Sequence, residues 1–188
     1  MQKTLATAIA AAALFATPLA ANALVYQFTT SLSGANEVPP NARTATGIAT
    51  LFYDDKNSVL TTDDSFNFAL AAFGLTGVAT GAHIHAPAPV GANAPIVVPL
   101  NVAPFSIFNS GGTVLIGGAD VAPPYAAFLS QLQAGLTYVN VHTALFPGGE
   151  IRGQLAQVSV IPEPETYALM LAGLTAVGFV ARRRVSKG

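Results

Sequence analysis

The sequence predicts an all-β domain, a Greek-key sandwich or barrel with one short helix, flanked by two apolar segments outside the fold. Three observations predict it. Short runs rich in β-branched and aromatic residues alternate with period two, glycine and proline clusters divide them, and a single stretch has helical spacing. The runs are 25–32, 46–53, 65–70, 81–85, 96–100, 113–116, 136–143 and 150–158. In Ser65-Phe66-Asn67-Phe68-Ala69-Leu70 the phenylalanines and leucine share one face, as a half-buried strand requires. Asp54-Asp55-Lys56-Asn57, Gly111-Gly112, Gly117-Gly118 and Pro147-Gly148-Gly149 are turn signals. After Pro123-Pro124, the residues Tyr125, Phe128, Leu129 and Leu132 follow helical spacing and Gly135 supplies a stop. Residues 86–95, with three prolines and Gly91, read as a long exposed loop.

Both ends read as targeting segments. Lys3, an alanine-rich apolar stretch, Pro18 and the small-x-small pattern Ala21-Asn22-Ala23 describe a signal peptide cut by signal peptidase after Ala23. The stretch is too short for a membrane span, which takes about 20 apolar residues. At the other end Pro162-Glu163-Pro164 precedes an apolar run, 166–181, and Arg182-Arg183-Arg184. As a helix that run reaches about 24 Å, somewhat short of the roughly 30 Å hydrocarbon core. The arginines would stay cytoplasmic and the β domain outside. The expected organisation is signal peptide 1–23, β domain 24–158, linker 159–165, transmembrane helix 166–181 and basic tail 182–188.

Composition narrows the function. Within 24–158 three bases (Arg43, Lys56, Arg152) face seven acids, so there is no basic patch and nucleic acid is excluded as a partner. The chain has no cysteine, which removes thiol catalysis and thiolate metal sites. No serine has a nucleophile-elbow context. Asp54-Asp55 and Asp63-Asp64 lack the spaced oxygen ligands of a calcium loop. These absences favour a non-enzymatic domain.

The chemistry that remains lies on one face. His83 and His85 flank Ile84, so both imidazoles share the side of the strand opposite the core. Tyr138, Asn140 and His142 oppose Val139 and Val141 in the same way, and Glu150, Arg152 and Gln154 oppose Ile151 and Leu155. If these strands are neighbours, His83, His85 and His142 can hold Zn²⁺ or Cu²⁺. The bland alternative is a structural network that includes a Glu150–Arg152 ion pair beneath the proline-rich loop.

Four ordered motifs carry a family resemblance: Leu32-Ser33-Gly34-Ala35-Asn36-Glu37-Val38-Pro39-Pro40 followed by Gly47, Ala82-His83-Ile84-His85, Tyr138-Val139-Asn140-Val141-His142-Thr143, and Gly148-Gly149-Glu150-Ile151-Arg152-Gly153-Gln154-Leu155. Over about 25–158 the chain resembles the CHRD domain, named from chordin, which implies an all-β domain with an extracellular binding role. The tail, from Val160 through Pro162, Glu163 and Pro164 to Arg182, Arg183 and Arg184, is similar to the PEP-CTERM sorting signal of Gram-negative bacteria. That similarity implies passage across the inner membrane, transient anchoring, recognition by an exosortase and delivery to the surface or an exopolysaccharide matrix. Gly81-Ala82-His83-Ile84-His85 is also similar to the copper-histidine strand of Cu/Zn superoxide dismutase. The likeness supports a superoxide-dismutase-like or Ig-like sandwich but not dismutase activity, because the further ligands and the cysteine pair are missing.

Overall fold

The computed structural model describes residues 24–56, 63–162, 170–175 and 177. Among the described residues ten strands form one antiparallel sheet that curls into a half-barrel. In chain order these are β1 (Leu24–Ser33), β2 (Thr46–Asp54), β3 (Ser65–Phe73), β4 (Ala79–His85), β5 (Ile96–Pro99), β6 (Ser106–Ser110), β7 (Thr113–Val121), β8 (Tyr138–Thr143), β9 (Ile151–Gln154) and β10 (Ala156–Pro162). The helix α1 spans Phe128–Gln133, between β7 and β8.

The strand order is β5-β4-β8-β9-β1-β2-β3-β7-β6, with β10 also paired to β1. β1 to β3 form a meander. The connections β3–β4, β5–β6 and β7–β8 each pass between the two halves of the sheet. Curling brings both halves onto a single core. One half contributes Phe28, Leu51, Phe66, Phe68 and Leu70; the other contributes Ile84, Leu100, Val139, Val141 and Ile151. Alternation does this directly: in β3 the side chains of Phe66, Phe68, Leu70 and Ala72 point in and Asn67 and Ala69 point out.

Helix α1 has only six residues, too few to be stable in isolation. Phe128 and Leu132, both fully buried, pin it to the core. Phe128 packs against Phe66 and Tyr125 at ring-centroid distances of 5.6 and 5.8 Å. The helix ends where the sequence predicts a stop: Gly135 has φ +67°, a conformation that suits glycine.

Three sequence readings change. Strand β6 was not anticipated; it pairs with β7 through Gly111-Gly112, whose φ angles of 56° and 80° make a tight hairpin. The linker was expected to start at residue 159, but β10 continues to Pro162, paired with Leu24. The loop 86–95 is only partly exposed: Ala86 and Ala88 are buried. Among the described residues no helix is long and apolar enough to cross a membrane. Ala21, Ala23, Glu163, Pro164, Arg182, Arg183 and Arg184 lie outside the described residues, as does most of the expected membrane segment.

Candidate functional site

The pairing of β4 with β8 sets Gly81 opposite His142, His83 opposite Asn140 and His85 opposite Tyr138. Because side chains alternate, His83 and His85 share a face with Tyr138, Asn140 and His142. His142, 57 residues beyond His85 in sequence, therefore meets His83 and His85. Their ligand atoms all lie within 4.8 Å of one another. His83 Nδ1 is 3.0 Å from His142 Nε2, and the rings of His83 and His85 meet edge to face. Gly81 leaves room for this: a Cβ there would stand 3.0 Å from His83 Cε1.

His85 is buried, and His83 and His142 are half-buried. Burial lowers the pKa of all three; the neighbouring His142 and His85 push His83 further down, to about 4, whereas hydrogen bonds to Ala94 and Asn140 at His85, and to Pro147 at His142, partly oppose the shift. Partners fix the rings. His85 Nδ1 lies 2.8 Å from the Ala94 carbonyl and Nε2 lies 3.0 Å from Asn140 Oδ1. His142 Nδ1 lies 2.9 Å from the Pro147 carbonyl, with Nε2 2.9 Å from the same Asn140 oxygen.

Beside the histidines stands a stacked column. The Tyr138 ring lies parallel to His85 at 4.6 Å, and the Arg152 guanidinium covers Tyr138 at 3.3 Å. Arg152 is buried and donates to Asn93 Oδ1 at 3.0 Å and to the Ala92 carbonyl. Gln154 Nε2 donates to the Ala88 carbonyl at 2.8 Å, and Tyr138 Oη accepts from Ala94 N at 3.2 Å. The loop 86–95 is thus tied to the polar face by its own backbone. That explains why its prolines do not make it a free excursion.

Next to Arg152 the 3₁₀ turn Gly34–Asn36 leads into Glu37. Asn36 Nδ2 donates to the Arg152 carbonyl and Asn41 Nδ2 to the Glu150 carbonyl, clamping this segment onto β9. Gly34 is required here, since a Cβ would lie 2.1 Å from Asn41 Oδ1. Glu37 is buried against Gly149, and its Oε1 has no hydrogen-bond partner. Burial raises the Glu37 pKa from 4.5 to about 7, although the charge on Arg152 pulls it back down. A cleft of about 510 Å³ opens here, lined by Asn36, Glu37, Val90, Arg152 and Gln154 among others.

The expected Glu150–Arg152 pair does not form. Glu150 is fully buried and precedes β9, where strand alternation does not yet apply. Its carboxylate accepts from the Thr76 amide at 2.9 Å, Thr76 Oγ1 at 2.8 Å and Thr143 Oγ1 at 2.6 Å. It ties the β3–β4 connection to β8, away from the histidines. Sequence reasoning also gave no role to Asn140, Tyr138 or Glu37, the polar groups that connect the site. The parity of Asn140 and Tyr138 was the available signal.

Glu37 yields a pH prediction. Its folded pKa is raised, so its stabilising contribution is complete below about pH 4.5 and is lost as pH rises through about 7. The histidines run the other way: their pKa values are lowered, so their contribution is present above about 6.5 and lost at lower pH, for His83 as pH falls through about 4. Glu37→Gln is therefore expected to raise stability at pH 8 by about 1–2 kcal/mol relative to its effect at pH 5. Urea unfolding at both pH values measures this; equal effects at the two would contradict it.

The fold and this polar face define a small antiparallel β domain joined at its last strand to the C-terminal motif. The CHRD domain model matches residues 28–155, more than half of the chain, and the chain belongs to the CHRD family. A PEP-CTERM protein-sorting motif matches residues 160–184, which makes this an exported protein sorted by an exosortase. No curated protein and no solved structure matches the chain.

Proposed function

We propose that the protein is anchored in the inner membrane through its tail, processed by the exosortase, and delivered to the cell surface or exopolysaccharide matrix, where the CHRD domain serves as a non-enzymatic binding or structural module. The observation that carries this reading is the arrangement of the chain: the sorting motif begins within β10, so the β domain is the cargo and has almost no spacer. The outer face of the sheet supports a binding role. Register places Ile48, Ala71, Leu115 and Phe108 in one row across β2, β3, β7 and β6. Ile48, Leu115 and Phe108 are exposed, and a contiguous apolar strip of this kind suits attachment to another surface.

The test is processing in the host. Replacing Glu163 with alanine, or deleting Arg182, Arg183 and Arg184, is expected to leave a heavier precursor in the inner-membrane fraction and to deplete the matrix fraction. Mass spectrometry of the wild-type and altered proteins reads this directly. Unchanged mass and location in both variants would refute the sorting half of the reading. A wild-type protein that is processed but absent from both surface and matrix would refute the delivery half.

A further inference from the structure

We propose that His83, His85 and His142, joined by the side-chain oxygen of Asn140, form a mononuclear site for Zn²⁺ or Cu²⁺ on the polar face of β4 and β8. The argument rests on where the protons must be. A backbone carbonyl only accepts, so the contacts of His85 Nδ1 with the Ala94 carbonyl (2.8 Å) and of His142 Nδ1 with the Pro147 carbonyl (2.9 Å) place N–H on both Nδ1 atoms. In neutral rings both Nε2 atoms then carry bare lone pairs. Those lone pairs converge on Asn140 Oδ1, itself an acceptor, at 3.0 and 2.9 Å. His83 Nδ1 joins the group at 3.0 Å from His142 Nε2.

With its proton on Nδ1, His83 can donate to His142 Nε2, but His85 Nε2 and Asn140 Oδ1 still face each other lone pair to lone pair, and a cation among these atoms removes the conflict. The spacing suits one. Ligands about 2.0–2.1 Å from a tetrahedral ion stand roughly 3.3 Å apart; the separations of 2.9–3.0 Å need to open slightly, and the widest ligand-atom spacing, up to 4.8 Å, closes by rotation of the half-buried His83 ring. The carbonyl contacts on the far ring nitrogens are the outer partners that orient metal-binding imidazoles. A donor set of three imidazoles and one amide oxygen selects borderline ions over Mg²⁺ or Ca²⁺. The rival arrangement has the Asn140 amide reversed, its two hydrogens shared between the two Nε2 atoms in a closed hydrogen-bond network that needs no ion.

Untagged protein purified from its host, stripped with chelator, is titrated with Zn²⁺, Cu²⁺ and Mg²⁺ by calorimetry. The expected result is one Zn²⁺ or Cu²⁺ per chain, no Mg²⁺ uptake, and about 100-fold or greater weakening in His83→Gln and His142→Gln. The half-buried positions and the glutamine replacement are chosen to preserve the fold, which circular dichroism of the metal-free variants checks. Spectroscopy of the Cu²⁺-loaded wild type supplies a measurement independent of any variant: hyperfine coupling to imidazole nitrogens is expected. No stoichiometric uptake would assign the cluster to the closed network and overturn the proposal. Uptake that both glutamine variants retain, or copper without nitrogen coupling, would overturn it as well. None of these results bears on sorting, which the processing experiment tests separately.

Discussion

Arg152→Ala is expected to lower the unfolding free energy by about 3–5 kcal/mol, the usual cost of removing one partner from a buried charged network. Arg152 is 2 % exposed, so its charge and its planar fork both act in a dry setting. Its loss uncovers the Tyr138 ring, leaves the Ala92 carbonyl and Asn93 without their donor, and removes the charge that restrains the Glu37 pKa. Arg152→Lys is expected to recover less than half of the loss, because an ammonium cannot stack on Tyr138 and reach two acceptors on the loop at once. Chemical denaturation measures both. A loss below 1 kcal/mol for the alanine variant would mean that the column is ornamental to stability. Adding Glu37→Gln to Arg152→Ala should offset part of the loss, since the stranded carboxyl is then neutral at every pH.

Phe128→Ala is expected to cost about 3–5 kcal/mol, as for other fully buried phenylalanines. Its ring touches the core at Phe66 and stands 6.4 Å from Tyr53, and with Leu132 it is what holds a six-residue helix in place. Truncation therefore opens a cavity and also loosens α1. Thermal unfolding should show the loss, and hydrogen exchange should show amides of α1 opening well before those of β2 and β3. Uniform protection across helix and sheet in the variant would contradict this account.

The parts of the molecule governed by local periodicity were readable from the sequence. Phe66, Phe68 and Leu70 point inward in β3, Val139 and Val141 in β8, and Phe128 and Leu132 in α1, because period two and period 3.6 each leave an unambiguous core face. The histidine cluster was readable for the same reason, once β4 and β8 are neighbours. Three other features depend on contacts that no local pattern encodes. Glu150 sits one residue before its strand, so its side chain follows the turn and finds Thr76 and Thr143 instead of Arg152. The 86–95 loop has an exposed composition, yet its carbonyls are the acceptors for Arg152, Gln154 and His85. Strand β6 has weak alternation and is mostly exposed, and only Gly111-Gly112 marked its hairpin.

The pairing of Leu24 with Pro162 makes a seam between the earliest and latest parts of the domain to be synthesised. β1 is made first, but along residues 24–29 its second neighbour is β10, the last strand. The sheet is therefore finished only when the chain has been released as far as the sorting motif. A cut made before Pro162 would strip residues from a strand that closes the domain. For the processing proposed above, a cut beyond Pro162 is the one that leaves the closing strand of the sheet whole.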